Sequence, residues 1–307
     1  MHAHIDQDGE SLHRWVKGVS TFWAHPEKGA RLMRWDIEMA DGSLREVMHW
    51  PESPDWDKVA KIRGGNPILF PFSARTFHKG EIGKWKAPSG EVLPMAMHGY
   101  ARQGTFELES AASDGFIAKF IPSDEAKEAY PFDYNFYVHY RFFDLAMEVS
   151  LTLENTGNEP IPWSAGHHFY FNLPWHPELD RSHYKIDFPK AKAFRQNDQG
   201  ELVAEKTFPL SDSFSNPELS DRIHAKLKKP EVTFGPANGE EQIKVSWSDS
   251  EGNSSWHTLV TWTMDADKPY YCVEPWMGPP NSNETNKGLH WVKPRDSQNY
   301  KVRIELV

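Results

Sequence analysis

The chain has a single cysteine, Cys272, so no intrachain disulfide can brace it. Structural disulfides belong to oxidising compartments, and without them the expected location is the cytoplasm. Long apolar runs are also lacking. No stretch reaches the roughly eighteen apolar residues that a membrane-spanning helix needs. Residues 1–10 are polar, include His2 and His4, and hold no apolar segment of the kind a secretory leader requires. Residues 1–14 read instead as a flexible tail. Positive charge is in deficit, with 34 Lys and Arg against 44 Asp and Glu and a net charge of −10. A surface of that sign disfavours nonspecific nucleic-acid binding. It leaves room for a phosphorylated metabolite, which a few local arginines can hold. No repeat, low-complexity tract, linker or βαβ rhythm is present, so residues 1–307 read as one domain.

What the chain does have is aromatic bulk and a period of two. Aromatics make up 13% of it, with 13 Trp and 18 Phe. Such rings suit half-buried strands and also stack on the CH faces of sugars. Met147, Val149, Leu151 and Leu153 alternate with Glu148, Ser150, Thr152 and Glu154. Val302, Ile304 and Leu306 repeat the pattern, as do Ile243, Val245 and Trp247, and Tyr134, Phe136, Val138 and Tyr140. Successive strand side chains point to opposite faces, so each segment predicts a half-buried strand. Asn155–Asn158 and Asp249–Asn253 read as hairpin connections. Helix signals are few: one from Ser53-Pro54 to about Ala60, and one over Ser123–Tyr130. The expected fold is all-β, a large antiparallel sandwich.

Three polar clusters interrupt the apolar pattern. The first is Arg63-Gly64-Gly65-Asn66-Pro67, followed by Arg75 and then His98-Gly99-Tyr100-Ala101-Arg102. Paired glycines before an apolar strand imply a tight turn with close backbone approach. The second is Gly166-His167-His168-Phe169-Tyr170-Phe171-Asn172-Leu173. Alternation puts the two histidines on opposite faces, so one faces a site and the other, His167, packs. The third is Cys272-Val273-Glu274-Pro275-Trp276, followed by Pro280-Asn281. A carboxylate at the end of an apolar strand is partly desolvated, which raises its pKa and makes it a better base near neutral pH. The clusters together supply imidazole, carboxylate and guanidinium. Taken one at a time, each also fits an ordinary buried or ion-paired group.

Taken together and in this order, the clusters resemble the aldose 1-epimerase family, also called galactose mutarotase-like. The Gly64–Pro67 and His98–Arg102 segments look most like its hexose-6-phosphate 1-epimerase branch. His168–Leu173 is similar to the family's His-x-Tyr-Phe-Asn-Leu motif, and Glu274–Trp276 to its Glu-Pro-Trp motif. Asp221-Arg222 resembles an Asp-Arg pair after the middle strands, with Asp212 a nearby competitor. The resemblance spans about residue 15 to the C-terminus. It implies a β-supersandwich with a groove on one face and ring opening and reclosure of a cyclic hemiacetal. It casts Glu274 as the base toward the anomeric hydroxyl and His168 as the acid toward the ring oxygen. His98 and Asp221 would hold hydroxyls or tune the acid, and Arg102, Arg75 and Arg63 would bind hydroxyls or a phosphate. The implied partner is a small-molecule sugar or sugar phosphate. No cofactor and no metal is expected, although His98, His168 and Glu274 are the residue types that bind iron or zinc.

The sequence departs from the branch at Ile68–Arg75, where a glycine is expected after Pro71. It departs again at Phe77–Lys86, which reads as an insertion. Both places bear on which sugar is chosen more than on the chemistry. The competing reading is a sandwich that binds carbohydrate without turning it over, which would have no need of an acid–base pair. A hydrolase would want two carboxylates across the scissile bond, and only Glu274 has motif support.

Overall fold

A computed structural model describes residues 1–307 except 8, 207 and 251–254. Two antiparallel sheets make up most of it. The larger, of thirteen strands, runs in the order His2–Gln7, Glu10–Lys17, Ser20–His25, Arg31–Glu38, Leu44–Met48, Phe169–Asn172, Tyr270–Trp276, Thr258–Trp262, Arg222–Ala225, Lys192–Gln196 and Leu202–Ala204. The short strands Ile68–Leu69 and Gly166–His167 attach beside its centre. The smaller, of nine strands, is centred on Tyr134–Phe143, Ala146–Asn155, Ser297–Leu306 and Ile243–Asp249. The expected all-β sandwich is the architecture found.

The period of two does what the pleat requires. Phe136, Val138, Tyr140, Met147, Val149, Leu151, Val245, Val302 and Ile304 are all buried between the sheets. They meet Trp15, Phe22, Trp35, Phe169, Phe171, Tyr271 and Val273 from the large sheet. The central strands of the large sheet are covered on both faces, so Tyr270–Trp276 reads as an unbroken buried run. Tyr271 and Val273 enter the main core, whereas Cys272 and Trp276 belong to smaller clusters on the far face, with Tyr170, Tyr270, Val260 and Ile223. That far face carries the groove. Among the described residues no helix is long and apolar enough to cross a membrane.

Three sequence expectations need correction. Residues 1–14 form no tail. His2–Gln7 pairs with Glu10–Lys17 along the edge of the large sheet, and His2 stacks on Trp15 at 4.7 Å. The turn at 155–158 is present, with the Gly157 N–H donating to Asn155 Oδ1 at 2.9 Å. It makes no hairpin, because Ile161–Trp163 leaves the sheet to pair with His290–Val292. The helix expected from Ser53 is a 3₁₀ segment, Trp56–Lys61, capped by Asp55. The second helix, Asp124–Ala129, starts from Ser123 as its side-chain cap. The expected connection at 249–253 lies partly outside the described residues. Phe77–Lys86 folds as short strands whose Trp85 is buried, its indole N–H donating to Ala129 O at 2.9 Å.

The core also holds imidazoles. His167 and His224 are fully buried, and burial depresses both to about 3. A histidine neutral in the fold and near 6.5 when unfolded contributes its full stability above pH 6.5. As pH falls from 6.5 toward 3 the unfolded chain binds more protons, and stability declines by on the order of 1 kcal/mol per pH unit for each such group. Thermal denaturation between pH 7 and 4 should show a falling midpoint. His224→Phe should flatten the fall, since the ring stacks on Phe188 at 3.9 Å and neither nitrogen has a hydrogen-bond partner among the described residues. A midpoint independent of pH over that range would refute this account.

Candidate active site

The ladder between Gly166–Asn172 and Tyr270–Trp276 sets the site. Gly166 pairs with Trp276 and Phe169 with Val273, so His168 occupies the position opposite Glu274. Cross-strand neighbours on one face lie close enough for their side chains to interact. His168 Nε2 is 3.5 Å from Glu274 Oε1. Glu274 is 2% exposed, and among the described residues its Oε2 has no hydrogen-bond partner. His168 sits on the more open side and stacks on Tyr170 at 4.8 Å. His167, one residue earlier, turns into the core against Phe169 and Tyr300, as alternation predicts.

Asn66 fixes this register. Its Oδ1 accepts the His168 backbone N–H at 3.2 Å. Its amide nitrogen donates to Tyr140 Oη at 2.7 Å and meets His167 Nδ1 at 3.0 Å. The turn before it needs Gly65, whose φ is 63°. A Cβ there would run into the Leu32 carbonyl.

His98 is buried with φ of 66°. Its Nδ1 accepts the Ala74 N–H at 3.1 Å. A neutral imidazole that accepts at Nδ1 carries its proton on Nε2. Burial first, with the Arg102 and Arg75 guanidiniums, holds His98 well below the ordinary range, so it stays neutral and donates through Nε2. Its ring lies edge-on to His168 at 5.6 Å and to Trp276 at 6.1 Å.

Burial decides the protonation of the central pair. Burial first, then the Arg31 and Arg102 guanidiniums, depress His168 to about 3. Burial and the Asp221 carboxylate push Glu274 well above the usual carboxylate range. Both shifts favour the form with a proton on the carboxyl and a neutral imidazole.

Arginines surround the pair. Arg63 lies over the Trp262 ring at 5.2 Å, and Trp262 meets His168 edge-on at 5.7 Å. Arg102 is half-buried, with its Nε lacking a partner. Arg75 is exposed and close enough to His98 and Asp221 to act on both electrostatically. Arg31, which the sequence reading missed, is 1% exposed. Its guanidinium donates to the carbonyls of Ile62 and Gly64 at 2.7–3.2 Å. Among the described residues none of these four arginines has a carboxylate partner. The only hint of Arg31 in the sequence is a charge at the start of an apolar strand.

The two candidate aspartates separate. Asp212 is buried and bonded to Arg222 at 2.8 Å and to the Asn216 amide. Arg222 also grips Glu205 at 2.9 Å. That network is structural, because it joins a strand of each sheet. Asp221 is exposed at the mouth of the groove, with φ of 57°, and it is the carboxylate that acts on Glu274. A cavity of about 380 Å³ opens beside the site, lined by His49, Arg63, Met264 and Tyr270 among others. A larger cavity, of about 650 Å³, is lined by Phe77, Gln199, Asn281 and Glu284 and holds none of the acid–base residues. Its wall depends on Asn281, whose Oδ1 accepts the Phe77 N–H at 2.8 Å.

The family model described as aldose 1-epimerase matches residues 24–304. No curated protein matches the chain by sequence. Among solved structures, a galactose mutarotase-like protein from Clostridium acetobutylicum superposes with a TM-score of 0.79 at 17% identity, covering 100% of this chain and 98% of that one. A galactose mutarotase related enzyme from Lactobacillus acidophilus gives 0.77 at 18% identity, with 96% and 97% covered. A galactose mutarotase-like protein from Lactobacillus casei gives 0.75 at 18% identity, with 96% and 100% covered. At these identities the likeness is one of fold.

The Asp212 and Asp221 assignments have separate signatures. Asp212→Ala leaves Arg222 short of a partner in a buried network and should cost about 3 kcal/mol of stability. Asp221→Asn, which removes the charge and keeps a residue that tolerates the left-handed backbone at φ 57°, should change stability by no more than about 0.5 kcal/mol while lowering kcat/KM. Chemical denaturation read beside an anomer-exchange assay tests both, and a reversed pattern would overturn the assignment.

Proposed function

The chain belongs to the aldose 1-epimerase family, and from that premise we propose that it interconverts the α and β anomers of an aldohexose, with a hexose 6-phosphate favoured. The observation that carries the reading is the buried His168–Glu274 pair, 3.5 Å apart on an otherwise aromatic face.

Ring opening takes a proton from the anomeric hydroxyl and gives one to the ring oxygen. In the proposed reaction Glu274, as carboxylate, accepts the O1 proton while protonated His168 donates to O5, and the C1–O5 bond breaks. The aldehyde rotates about C1–C2, and the reverse transfers close the ring on its other face. No proton is gained or lost over the cycle, so the pair only passes one proton between its members. When the ring is open, that proton is on Glu274 and His168 is neutral. This is also the state that burial favours in the free groove. The cyclic sugar is processed from the ion-pair form, which has the same proton placed on the imidazole.

The neutral His98, donating from Nε2, suits a ring or hydroxyl oxygen, and Asp221 suits a hydroxyl at the rim. Trp262, half-buried beside His168, suits the sugar's CH groups. The case for a phosphate is the set of guanidiniums without carboxylates, since Arg grips a phosphate in bidentate fashion. Arg63 and Arg102 are both near enough to His168 to act on it electrostatically, which supports them as the phosphate ligands.

The test is NMR exchange between the anomers of glucose 6-phosphate, with glucose and galactose alongside. Catalysis should be fastest with the phosphorylated sugar, and Glu274→Gln should lose about 10²–10⁴-fold with the fold intact. A free sugar ranking first would remove the phosphate preference. No acceleration with any of the three would favour a sandwich that only binds sugar.

The pH profile gives a second test. The reaction needs one proton on the pair: two leave no base and none leaves no acid. With His168 depressed and Glu274 raised, kcat/KM should hold a broad plateau through neutrality. It should fall on the acid side as the imidazole is protonated beside a protonated carboxyl, and on the alkaline side as the shared proton is lost. Those limbs belong to the pair rather than to either residue. A single limb near 6.5 would mean that His168 titrates as a free imidazole, and the shared-proton account would fall.

A further inference from the structure

Cys272 takes no part in the proton path above, yet the pleat places it on the same face as Glu274, one strand across from Tyr170 and Trp262. One donor atom from each of His168, Cys272 and Glu274 lies within 4.8 Å of the other two. Imidazole nitrogen, thiol sulfur and carboxylate oxygen are the three donor types that zinc takes, at about 2.0–2.3 Å. Tetrahedral ligands at those bond lengths stand about 3.5 Å from one another, which is the spacing already present between His168 Nε2 and Glu274 Oε1. The cysteine sulfur has to close by no more than about an ångström. Glu274 Oε2 is buried and has no hydrogen-bond partner among the described residues, so a ligand oxygen is free. His168 is the open side of the trio, with 13% of its side chain exposed, and this leaves a way in from the groove.

We propose that His168, Cys272 and Glu274 form a binding site for a soft divalent cation such as zinc or cadmium, and that the bound ion switches the groove off. Coordination replaces the thiol proton and the carboxyl proton, both of which leave to solvent as the metal–sulfur and metal–oxygen bonds form. The imidazole is already neutral and gives its lone pair directly. With the ion in place Glu274 cannot accept a proton and His168 cannot carry one. The inhibition rests on the acid–base reading of this pair, whereas the binding does not.

Cobalt is the probe that separates the two. A thiolate bound to Co²⁺ gives a near-ultraviolet charge-transfer band, and Cys272 is the only cysteine in the chain, so the band reports this site alone. Zinc bound by the clustered N-terminal imidazoles His2, His4 and His13 would give no such signal. Titration of the whole protein should raise the band to saturation at one equivalent, and Zn²⁺ should displace it. Cys272→Ser should abolish the band and weaken Zn²⁺ binding by about tenfold or more, the scale seen even for loss of an outer-shell partner. Zn²⁺ at a concentration that halves wild-type anomer exchange should leave Cys272→Ser at its own metal-free rate, and Cys272→Ala should behave likewise. Absence of the band in the wild type, or equal Zn²⁺ inhibition in all three proteins, would overturn the proposal. A saturable band in a protein that exchanges no anomers would leave the metal site standing and remove the mutarotase reading instead.

Discussion

The groove depends on one buried amide. Asn66 is wholly inaccessible, and its side chain touches three things at once: Tyr140 of the smaller sheet, the core histidine His167, and the backbone of His168. A buried amide left unsatisfied costs about 1–3 kcal/mol for each lost partner, so these bonds are mutually enforcing. They lock the strand that carries His168 to the core behind it, and with it the register that sets His168 opposite Glu274. A slip of one residue would turn His168 inward and bring His167 to the groove. Asn66, the Gly65 turn before it and the Arg31 guanidinium that holds the Ile62 and Gly64 carbonyls are thus one device. It fixes which of two adjacent imidazoles faces the groove.

Electrostatics of the groove follow from burial. A carboxyl that is 2% exposed, with a second carboxylate acting on it, cannot stay ionised without compensation. Arginines are near enough to depress His168, yet none pairs with Glu274. The proton therefore rests on Glu274, and the imidazole stays neutral. A ligand that brings hydroxyl dipoles or negative charge between the arginines and the pair changes that balance. Neutralising the guanidiniums would let His168 hold a proton more readily. The reading of arginines as substrate-binding groups and the reading of the pair as an acid–base couple then support each other, since the same anion would satisfy the first and prime the second.

Much of this was legible in the sequence, and the reasons are specific. The strands with period two were plain because each covers one face of a sandwich, and Glu274, His168 and His98 stood out as polar residues inside aromatic or glycine-marked segments. Asp221 and Asp212 could not be told apart, because the difference lies in Arg222, Glu205 and Asn216, three partners that the fold and not the spacing brings together. Arg31 was missed for a related reason: its partners are backbone carbonyls, which leave no trace in residue identity. The N-terminal residues misled because polar strands at a sheet edge look like a tail. His2–Gln7 gains its place from hydrogen bonds to Glu10–Lys17 and from one ring stacked on Trp15, not from any apolar stripe.

The pleat that makes the acid–base pair also constrains what stands beside it. Any strand that presents Glu274 to the groove presents residue 272 to it as well, at a cross-strand position flanked by Tyr170 and Trp262. Cys272 is fully buried against Tyr170, Tyr270 and Trp262, where an overpacked or charged side chain would be costly. Among small residues an apolar one would waste no polar group, and a serine would need a partner that the rings do not provide. A thiol fits as a small hydrophobe with weak hydrogen-bonding demands, and burial raises its pKa well above the ordinary value, so it remains protonated and inert toward sugar. The choice that packs best is therefore also the one that places a soft ligand beside the imidazole and the carboxyl. Susceptibility to a thiophilic cation follows from the geometry that makes the groove work, and only a change at position 272 could remove it without disturbing the pair.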